Sequence, residues 1–423
     1  MEEIMKTMKF LKSIALATTA LAFVPGSASA EDVTLNWALW DLDKVAYYDP
    51  IIEAYEASHP GIKIETTDLG SSDYNQMVMT QLTGGGDDLD IITIKDVPGY
   101  AQMVNTGRLM NLNEIDAVPS DTSGYGGLIE ALTVDGNIYA LPFRTDFWIV
   151  YYNKDLFDAA GVDYPTNDMT WAEFDEKARA VTSGFGADKV YGTHLHTWRS
   201  TVQLPAIQSG ENTLVAKDYS FLKPWYERAL ALQEDGIIRS YASLKTSQTH
   251  YSGPWFSSQI AMLPMGSWFI ATQIDKVKSG ESSAANWGLV KYPHPEGVEA
   301  GATAGQVTSL GINVNSRKAD AAKDFIEWVS GPEGAAIVSA TGTIPALRDD
   351  KVIETIASKD GFPEDDASAQ ALVTSAAYLE MPVDLKAAEY ELVLNRVHDA
   401  LMTNNISIDD AIAEMNNGVA EID

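Results

Sequence analysis

The sequence predicts an α/β protein of two lobes, each a mainly parallel sheet flanked by helices. The first observation is that short apolar and β-branched runs alternate with amphipathic segments after residue 31, as in right-handed βαβ units. The second is length, because residues 31–423 exceed what one hydrophobic core usually supports. We therefore expect two cores and a cleft between them.

The N-terminal segment has the parts of a secretory signal peptide. Lysines precede the apolar run 14–24, and small residues at 28–30 suit a cleavage site. The apolar run is too short to span a membrane as a helix. Glu2 and Glu3 fit a signal peptide poorly, so Met5 and Met8 are alternative starts. We predict that residues 1–30 are removed and that the chain from Glu31 is periplasmic.

The chain is strongly acidic and lacks cysteine. It carries 29 Lys and Arg against 60 Asp and Glu, a formal net charge of −31. Removing the leader changes this value only to about −32. Nucleic acid and anionic membranes are therefore poor partners, and a solvated acidic surface is expected. A disulfide scaffold, thiolate zinc sites and cysteine catalysis are excluded because there is no cysteine.

The first elements alternate strictly between strand and helix. Strands are predicted at 33–39, 62–67 and 90–94, with helices at 45–58 and 74–82. The glycines at 84–86 end the second helix. A phosphate-binding loop is disfavoured there, because the Lys-Ser/Thr that such a loop needs does not follow.

The segment 136–157 is predicted to join the two lobes. Apolar runs at 138–141 and 147–152 indicate two strands, which meet at the polar joint 142–146. Arg144 and Asp146 place a cation and an anion at this joint. Such an arrangement is expected of a hinge beside a ligand cleft.

The alternation continues less regularly beyond the joint. Helices are predicted at 154–160, 171–182, 221–234, 318–330, 385–402 and 409–416, and strands at 190–193, 287–292 and 309–314. The region after Pro363 is expected to be helical. Gly305 and Gln306 lie in the small-residue stretch 301–308, where the backbone can approach a ligand or a neighbouring strand closely.

Several motifs resemble extracellular solute-binding proteins of sugar ABC importers, in the maltose-binding-like group. They are Y-A-L-P at 139–142, Y-Y-N-K-D-L-F at 151–157, Ala160-Gly161 and T-W-A-E-F at 170–174, and the resemblance recurs along the whole mature chain. It implies a periplasmic-binding-protein fold of type II with three crossings between lobes, at 142–146, near 301 and near Thr343. The N-terminal lobe would comprise residues 31–142 and 301–343, and the C-terminal lobe 143–300 and 344–423.

Polar and aromatic residues follow the first three predicted strands, where ligands of parallel sheets bind. A carboxylate accepts two sugar hydroxyls, and an indole covers the apolar face of a pyranose. Asp43 and Ser72 have helix capping as an alternative role. For Asp96, the last residue of D-I-I-T-I-K-D, the resemblance implies ligand binding. The candidate residues after the strands are Trp40, Asp41, Asp43, Ser72 and Asp96.

The stretch 253–268 resembles a second motif of the family. There a helix precedes a short apolar strand, and Gly-Ser/Pro-Trp opens another helix whose Trp stacks on sugar. We therefore predict that Trp268 lines the cleft and that Ser267 caps the next helix. For Trp255 both a core and a cleft position are open, and the core is favoured.

Three further residues are assigned to the cleft with alternatives left open. His194 and His196 share one side of a strand, as metal ligands would, but no third ligand or cysteine is nearby. A loop lining the cleft is favoured, with His196 and Trp198 as secondary sugar contacts. Arg348 follows the last crossing and would face the cleft as a planar donor, or else remain a surface charge.

Three classes of function fit these features. A binding subunit of an importer accounts for the leader, the lobes and the aromatic and carboxylate residues. A secreted glycosidase would also place carboxylates and Trp in a cleft, but the chain resembles no such enzyme. A sensor subunit would present the same closed form to a membrane receptor.

We predict the first class: a periplasmic sugar-binding subunit, not an enzyme, with no cofactor and no metal. Its partners would be a carbohydrate and the importer's permease subunits, and the protein would be a monomer. The identity of the sugar stays open, and the tryptophans suit a ligand of one ring or several. Arg144 and Arg348 leave room for an anionic substituent.

Overall fold

The computed structural model describes residues 33–71, 73–348 and 351–422. The predicted signal peptide and Ser72 lie outside this part of the chain. The strands are β1 (Val33–Leu39), β2 (Ile62–Asp68), β3 (Ile91–Ile94), β4 (Leu141–Asn153), β5 (Tyr191–Thr193), β6 (Ile260–Gly266), β7 (Trp287–Lys291), β8 (Ala302–Ile312) and β9 (Ala376–Leu379). The helices are α1 (Tyr48–Ser58), α2 (Tyr74–Thr83), α3 (Val97–Asn105), α4 (Leu128–Ala131), α5 (Lys154–Ala160), α6 (Trp171–Val181), α7 (Ser200–Gln203), α8 (Lys223–Glu234), α9 (Tyr241–Ser247), α10 (Ser252–Phe256), α11 (Phe269–Lys278), α12 (Ala319–Ser330), α13 (Pro332–Ala340), α14 (Val352–Ala357), α15 (Asp366–Gln370), α16 (Ala387–Met402) and α17 (Ile408–Ala420).

The strands form a continuous path in the order β2-β1-β3-β8-β4-β6-β5, with β7 beside β4 and β9 beside β8. The predicted α/β class is confirmed, and β1 pairs in parallel with both β2 and β3. Beyond β4 the sheet is mixed rather than mainly parallel, because β4 is antiparallel to β6 and β7 while β5 and β6 are parallel. The reason is that β4 enters this half from the other one, so its direction is not set by a βαβ unit.

The polar joint predicted between two strands lies inside the single strand β4. Residues 141–147 pair with β8, whereas residues 148–153 pair with β6 and β7. The register shifts between Pro142 and Arg144, which accommodates a proline without a backbone donor. Arg144 and Asp146 therefore sit on a rigid, hydrogen-bonded strand that belongs to both halves of the sheet.

Three segments run side by side where the halves meet, as the predicted three crossings require. They are β4, β8 and residues 343–346, which bond to β4 through Thr145 N to Ile344 O and Ala346 N to Phe143 O, each 3.0 Å. One end of β8 pairs with β3 and the other with β9. The small-residue stretch 301–308 is thus mostly strand. The residue boundaries given for the lobes remain a prediction.

The two faces of β1 feed two hydrophobic clusters. Because side chains alternate along a strand, Leu35 and Trp37 enter a cluster with Phe325 of α12, whereas Ala38 and Trp40 point to the opposite face. That second, larger cluster continues through β4 into the other half and includes Trp255, which is fully buried as predicted. Of the candidate ligand residues, Trp40 belongs to this cluster and Trp268 packs against it.

Most predicted element positions agree with the structure to within three residues. Asn153 and Ser407 cap α5 and α17, since both side chains accept a backbone N–H in the first turn. The C-terminal part is not wholly helical, because β9 pairs with β8 there. Its short sequence A-A-Y-L has little strand propensity of its own and depends on that pairing. Over the described ranges, no helix combines the length and apolarity needed to cross a bilayer.

Candidate functional site

The centre of the candidate site is a buried ion pair on β4. Arg144 is 9% exposed and Asp146 is 1% exposed. Two residues apart on a strand, they share one face, with Arg144 Nη1 3.4 Å from Asp146 Oδ2. Arg144 Nε donates to Thr308 Oγ1 at 3.1 Å, and Ser267 Oγ donates to Asp146 Oδ1 at 3.0 Å. The pair therefore ties β4, β8 and the end of β6 together.

Burial and charge act against each other on this pair. Burial raises the pKa of Asp146, although Arg144, Ser267 and Arg348 each lower it. Burial alone would lower the pKa of Arg144, but the nearby Asp146 charge leaves it raised. We conclude that Arg144 is fixed as a cation, while the ionised form of Asp146 is held at an energetic cost.

The ring of Trp40 packs against two cations. Its ring centroid is 5.6 Å from Lys95 Nζ and 5.9 Å from Arg144 Cζ, both within the range of cation–π attraction. The ring also packs edge-on against Tyr74 at 5.0 Å, and only 6% of Trp40 is exposed. Trp40 thus lies beside Arg144, and its ring packs against two cations of the protein itself.

Asp96 is the N-cap of α3, a role that the sequence did not assign to it. Its Oδ1 accepts the Gly99 N–H at 2.8 Å, and Asn75 Nδ2 donates to both carboxylate oxygens at 2.9 and 3.0 Å. The side chain is only partly buried and also lines a small cavity. Capping and ligand binding are therefore both open to this carboxylate.

The remaining strand-end candidates are less closely tied to the centre. Asp41 has a positive φ of 50° and accepts a bond from Lys44 Nζ at 3.3 Å. Asp43 is exposed and does not cap α1, whose N-cap is Tyr47 without a side-chain bond. The alternative capping role of Asp43 is therefore wrong.

Arg348 is the candidate that follows the third crossing. Its side chain is exposed, and its backbone N–H donates to Gly124 O at 2.9 Å. Burial within its surroundings lowers the pKa of its guanidinium, while the charge of Asp146 raises it. Arg348 is therefore near enough to Asp146 for the two charges to act on each other, and its role in binding stays a prediction.

Trp198, Tyr251 and Trp268 form an aromatic wall in the second half of the sheet. The rings of Trp198 and Trp268 are 6.3 Å apart, and Tyr251 contacts Trp198 at 5.7 Å. Trp268 Nε1 donates to Tyr251 OH at 3.2 Å. Trp198 is 38% exposed and Trp268 is partly buried, so both present ring surface for a ligand.

Trp268 is held in place from behind. Its ring meets Trp148 edge-on at 5.8 Å and lies so close to Gly266 that an added Cβ would be 1.9 Å away. The predicted capping role of Ser267 is wrong, since Trp268 is the N-cap of α11 and makes no side-chain cap bond. The Ser267 hydroxyl instead donates to Asp146 Oδ1 at 3.0 Å and accepts the Phe147 backbone N–H at 3.3 Å.

His194 and His196 are buried behind the aromatic wall. Burial lowers the pKa of His194 to about 3 and that of His196 to about 2, so both are neutral at physiological pH. His196 packs edge-on against Trp198 at 4.5 Å. No group of three His, Asp or Glu side chains in the described part of the chain is arranged to hold a metal.

A cavity of about 40 Å³ lies between α3, β8 and residues 380–391, with room for only one or a few waters. Glu380 accepts bonds from Trp148 Nε1 at 2.9 Å and from Gln306 Nε2 at 2.7 Å, and burial raises its pKa. Arg199 Nη2 donates to Glu391 Oε1 at 2.9 Å. The polar lining consists of Asp96, Arg199, Gly305, Gln306, Glu380 and Glu391. Gly305 and Gln306 lie opposite Phe147 and Asp146 in the register of β8 with β4.

Sequence reasoning did not assign Tyr251, Arg199, Glu380 and Glu391 to the site. Tyr251 is the N-cap of α10 and immediately precedes the motif stretch 253–268, which was a usable signal. The other three carry no local pattern, because their contacts join residues 192 positions apart for Arg199 with Glu391 and 232 for Trp148 with Glu380.

Comparison with known proteins gives a consistent result. The family described as bacterial extracellular solute-binding protein matches residues 40–336. A sugar transporter from Rhizobium etli, solved in an open conformation, is 62% identical, with a TM-score of 0.77 over 92% of this chain and 99% of that one. The lactose-binding protein of Rhizobium radiobacter is 26% identical over 333 residues, 75% of each chain.

A more distant structure agrees in fold. The ABC substrate-binding protein from Listeria monocytogenes in complex with cycloalternan is 20% identical, with a TM-score of 0.78 over 93% of this chain and 99% of that one. The mannitol-binding protein of Pseudomonas aeruginosa matches over a shorter stretch, 28% identical across 38% of this chain and 36% of its own length.

Proposed function

This chain belongs to the bacterial extracellular solute-binding proteins, and from that premise we propose that it is the sugar-binding subunit of an ABC importer. The observation that carries the proposal is the convergence of the Arg144–Asp146 pair with the aromatic wall where the two halves of the sheet meet. Charged groups can bond hydroxyls there, while indole rings cover the apolar face of a sugar ring.

Ligand capture would work through closure of the two lobes. β4, β8 and residues 343–346 form the connection, and β4 carries Arg144 and Asp146 while β8 carries Gln306. A ligand bonded to these side chains touches the hinge strands themselves. Binding then favours the closed state over the open one, because only the closed state brings both lobes onto the sugar.

The partners and location follow from the same proposal. The closed form would dock on the permease subunits of the importer, and the protein would act as a monomer in the periplasm after loss of residues 1–30. The relatives support a carbohydrate ligand, since they include lactose-binding and mannitol-binding proteins and a structure that holds cycloalternan. The ligand would be a mono- or oligosaccharide or a sugar derivative.

We propose that the protein binds sugar without turning it over. A glycosidase needs two carboxylates flanking the bond that is cleaved, one of them a proton donor. Asp146 is instead bonded to Ser267 and paired with Arg144, and Glu380 is bonded to Trp148 and Gln306. A sensor subunit is the alternative that remains, since the same closed form would serve a receptor.

The first test is a thermal-shift panel of mono-, di- and oligosaccharides, followed by calorimetry on each sugar that raises the melting temperature. We expect at least one sugar to bind with a stoichiometry of one and to be recovered unchanged by chromatography after long incubation. Products formed from a tightly bound sugar would contradict the proposal. Genes for two permeases and an ATPase beside this one would separate the importer from the sensor.

Asp96 provides a second test, because its two roles can be separated by substitution. Asp96→Ala should cost about 1 kcal/mol of folding stability through loss of the α3 cap. It should also cost on the order of 2 kcal/mol of sugar affinity if the carboxylate bonds ligand hydroxyls. Asp96→Ser keeps a capping hydroxyl and should restore the stability alone. Wild-type calorimetric affinity in the serine variant would show that Asp96 is only a cap.

A further inference from the structure

We infer that the sugar carries an anionic group, which Lys95 and Arg144 receive beside the ring of Trp40. This inference rests on the proposed function, because it names the chemical class of sugar that the same cleft takes. The anionic group would be a carboxylate, a sulfonate or a phosphate ester.

Lys95 is a cation without a counter-ion in the described part of the chain. Its Nζ donates to the backbone carbonyl of Ser71 at 2.5 Å, and no carboxylate oxygen of the described residues lies within 4.0 Å of it. Burial lowers the pKa of Lys95, the charges of Asp96, Asp41 and Glu391 raise it in part, and the Arg144 charge lowers it further. A strongly hydrated ammonium group placed in this way is destabilising until a negative charge joins it.

The carboxylates around Lys95 are already engaged. Asp96 accepts bonds from Asn75 and from the Gly99 backbone. Asp68 accepts three backbone N–H groups, at 2.9 to 3.0 Å. Asp41 Oδ1 forms an ion pair with Lys44 Nζ at 3.3 Å. Their charges offset that of Lys95 in part, but no oxygen of theirs satisfies its N–H donors.

Arg144 is also incompletely compensated. Its separation of 3.4 Å from Asp146 Oδ2 is longer than the 2.7–2.9 Å typical of a charge-assisted hydrogen bond. Asp146 Oδ2 makes no hydrogen bond to the described residues, although it is buried. The same carboxylate also acts on Arg348. The charge of one carboxylate therefore acts on two guanidinium groups, while Lys95 lies beside the same Trp40 ring as Arg144.

The neighbouring acidic cavity supplies a counter-charge only in part, since the charge of Glu391 raises the pKa of Lys95 but Glu391 forms no ion pair with it. Both oxygens of Glu380 accept hydrogen bonds, from Trp148 and Gln306, and Glu391 is paired with Arg199. The net charge of −31 repels anions at long range, but salt screens that field beyond about 10 Å at 0.1 M. Contact with Lys95 and Arg144 therefore decides which ligand is preferred.

An anionic oxygen matches this site better than a hydroxyl does. Hydrogen bonds between ionised partners are about twice as strong as neutral ones, and the ligand would relieve the cost of burying Lys95. We therefore expect an acidic sugar to be preferred over its neutral counterpart by about 30-fold or more. This preference should weaken as salt is raised, because part of it is electrostatic.

The test uses matched pairs in calorimetry: glucose with glucuronate, galactose with galacturonate, and glucose with both its 6-phosphate and its 6-deoxy-6-sulfonate. Binding of inorganic sulfate is measured as well, to test whether a free anion binds without a sugar. At least one acidic sugar should bind about 30-fold tighter than its neutral partner. Lys95→Met should reduce that ratio at least tenfold and should raise the melting temperature of the ligand-free protein. Lys95→Gln is the second variant if the first folds poorly.

The control is Lys63→Met, at a lysine whose side chain is 65% exposed and paired with Glu56, and it should leave the ratio unchanged. A neutral sugar that binds tighter than its acidic partner overturns the inference and leaves the proposed function standing. An unchanged ratio of acidic to neutral sugar affinity in Lys95→Met likewise overturns the inference and leaves the proposed function standing. Stabilisation by sulfate without binding of any acidic sugar also overturns the inference. Failure of every sugar to bind removes the proposed function and the inference together.

Discussion

Replacing Asp146 by alanine is expected to lower the free energy of unfolding by about 3 to 5 kcal/mol, because Arg144 would then be buried without its counter-ion. The two side chains are 1% and 9% exposed, so water cannot readily take the place of the carboxylate. Ser267 would also lose the acceptor of its hydroxyl. Denaturant melts of the ligand-free protein measure this effect.

Two further variants separate the charge from the shape of Asp146. Asp146→Asn keeps an acceptor for Ser267 and removes the ionised group whose pKa burial raises, so it should cost less than the alanine variant. The double variant Arg144→Met with Asp146→Leu should have the free energy of unfolding closest to wild type, because no unpaired charge is left buried. The exposed Asp43→Ala is the control and should unfold like wild type. A near-normal melt of Asp146→Ala would show that the pair is not structural.

The sequence predicted the strands and helices well where the pattern is local. β1 and β2 are parallel neighbours with buried faces, and their alternation is visible in the residues themselves. The polar joint 142–146 was misjudged because Pro142 and a run of polar residues usually end a strand. Pairing with β8 and with residues 343–346 keeps β4 continuous, and neither partner is close in sequence.

Roles of individual site residues were harder to predict than their location. Arg144 and Asp146 were placed at the centre, but their burial depends on packing from Tyr47 and Ser267. Asp96 and Ser267 show the limit most clearly. Either residue type can cap a helix or bond another side chain. In the structure Asp96 caps α3, whereas Ser267 bonds the side chain of Asp146.

Trp268→Ala is expected to lower sugar affinity at least tenfold, about 1.4 kcal/mol, while the ligand-free protein loses less stability than a core truncation would cost. Trp268 is only partly buried and belongs to the aromatic wall with Trp198 and Tyr251. Its loss removes one hydrogen bond and an edge contact with Trp148, so a stability change of about 1 to 2 kcal/mol is expected.

The matched control is Trp255→Ala, because Trp255 has the same side chain on the neighbouring α10 but is fully buried. Its indole donates to Gln273 at 2.9 Å and packs against Tyr151 at 6.2 Å. Truncation there should cost about 3 to 5 kcal/mol of stability. Sugar affinity of the folded fraction should stay near wild type. The two variants should therefore show opposite patterns in the same pair of measurements.

Trp268→Phe decides whether the ring or its N–H group matters for sugar. Phenylalanine keeps an aromatic face beside Trp198 but cannot donate to Tyr251 OH. If stacking is the role of Trp268, the phenylalanine variant should keep most of the affinity that alanine loses. If the bond to Tyr251 positions the wall, both variants should lose affinity alike. A stability loss equal to that of Trp255→Ala, with wild-type affinity in the folded fraction, would show that Trp268 is a core residue and that the sugar lies elsewhere.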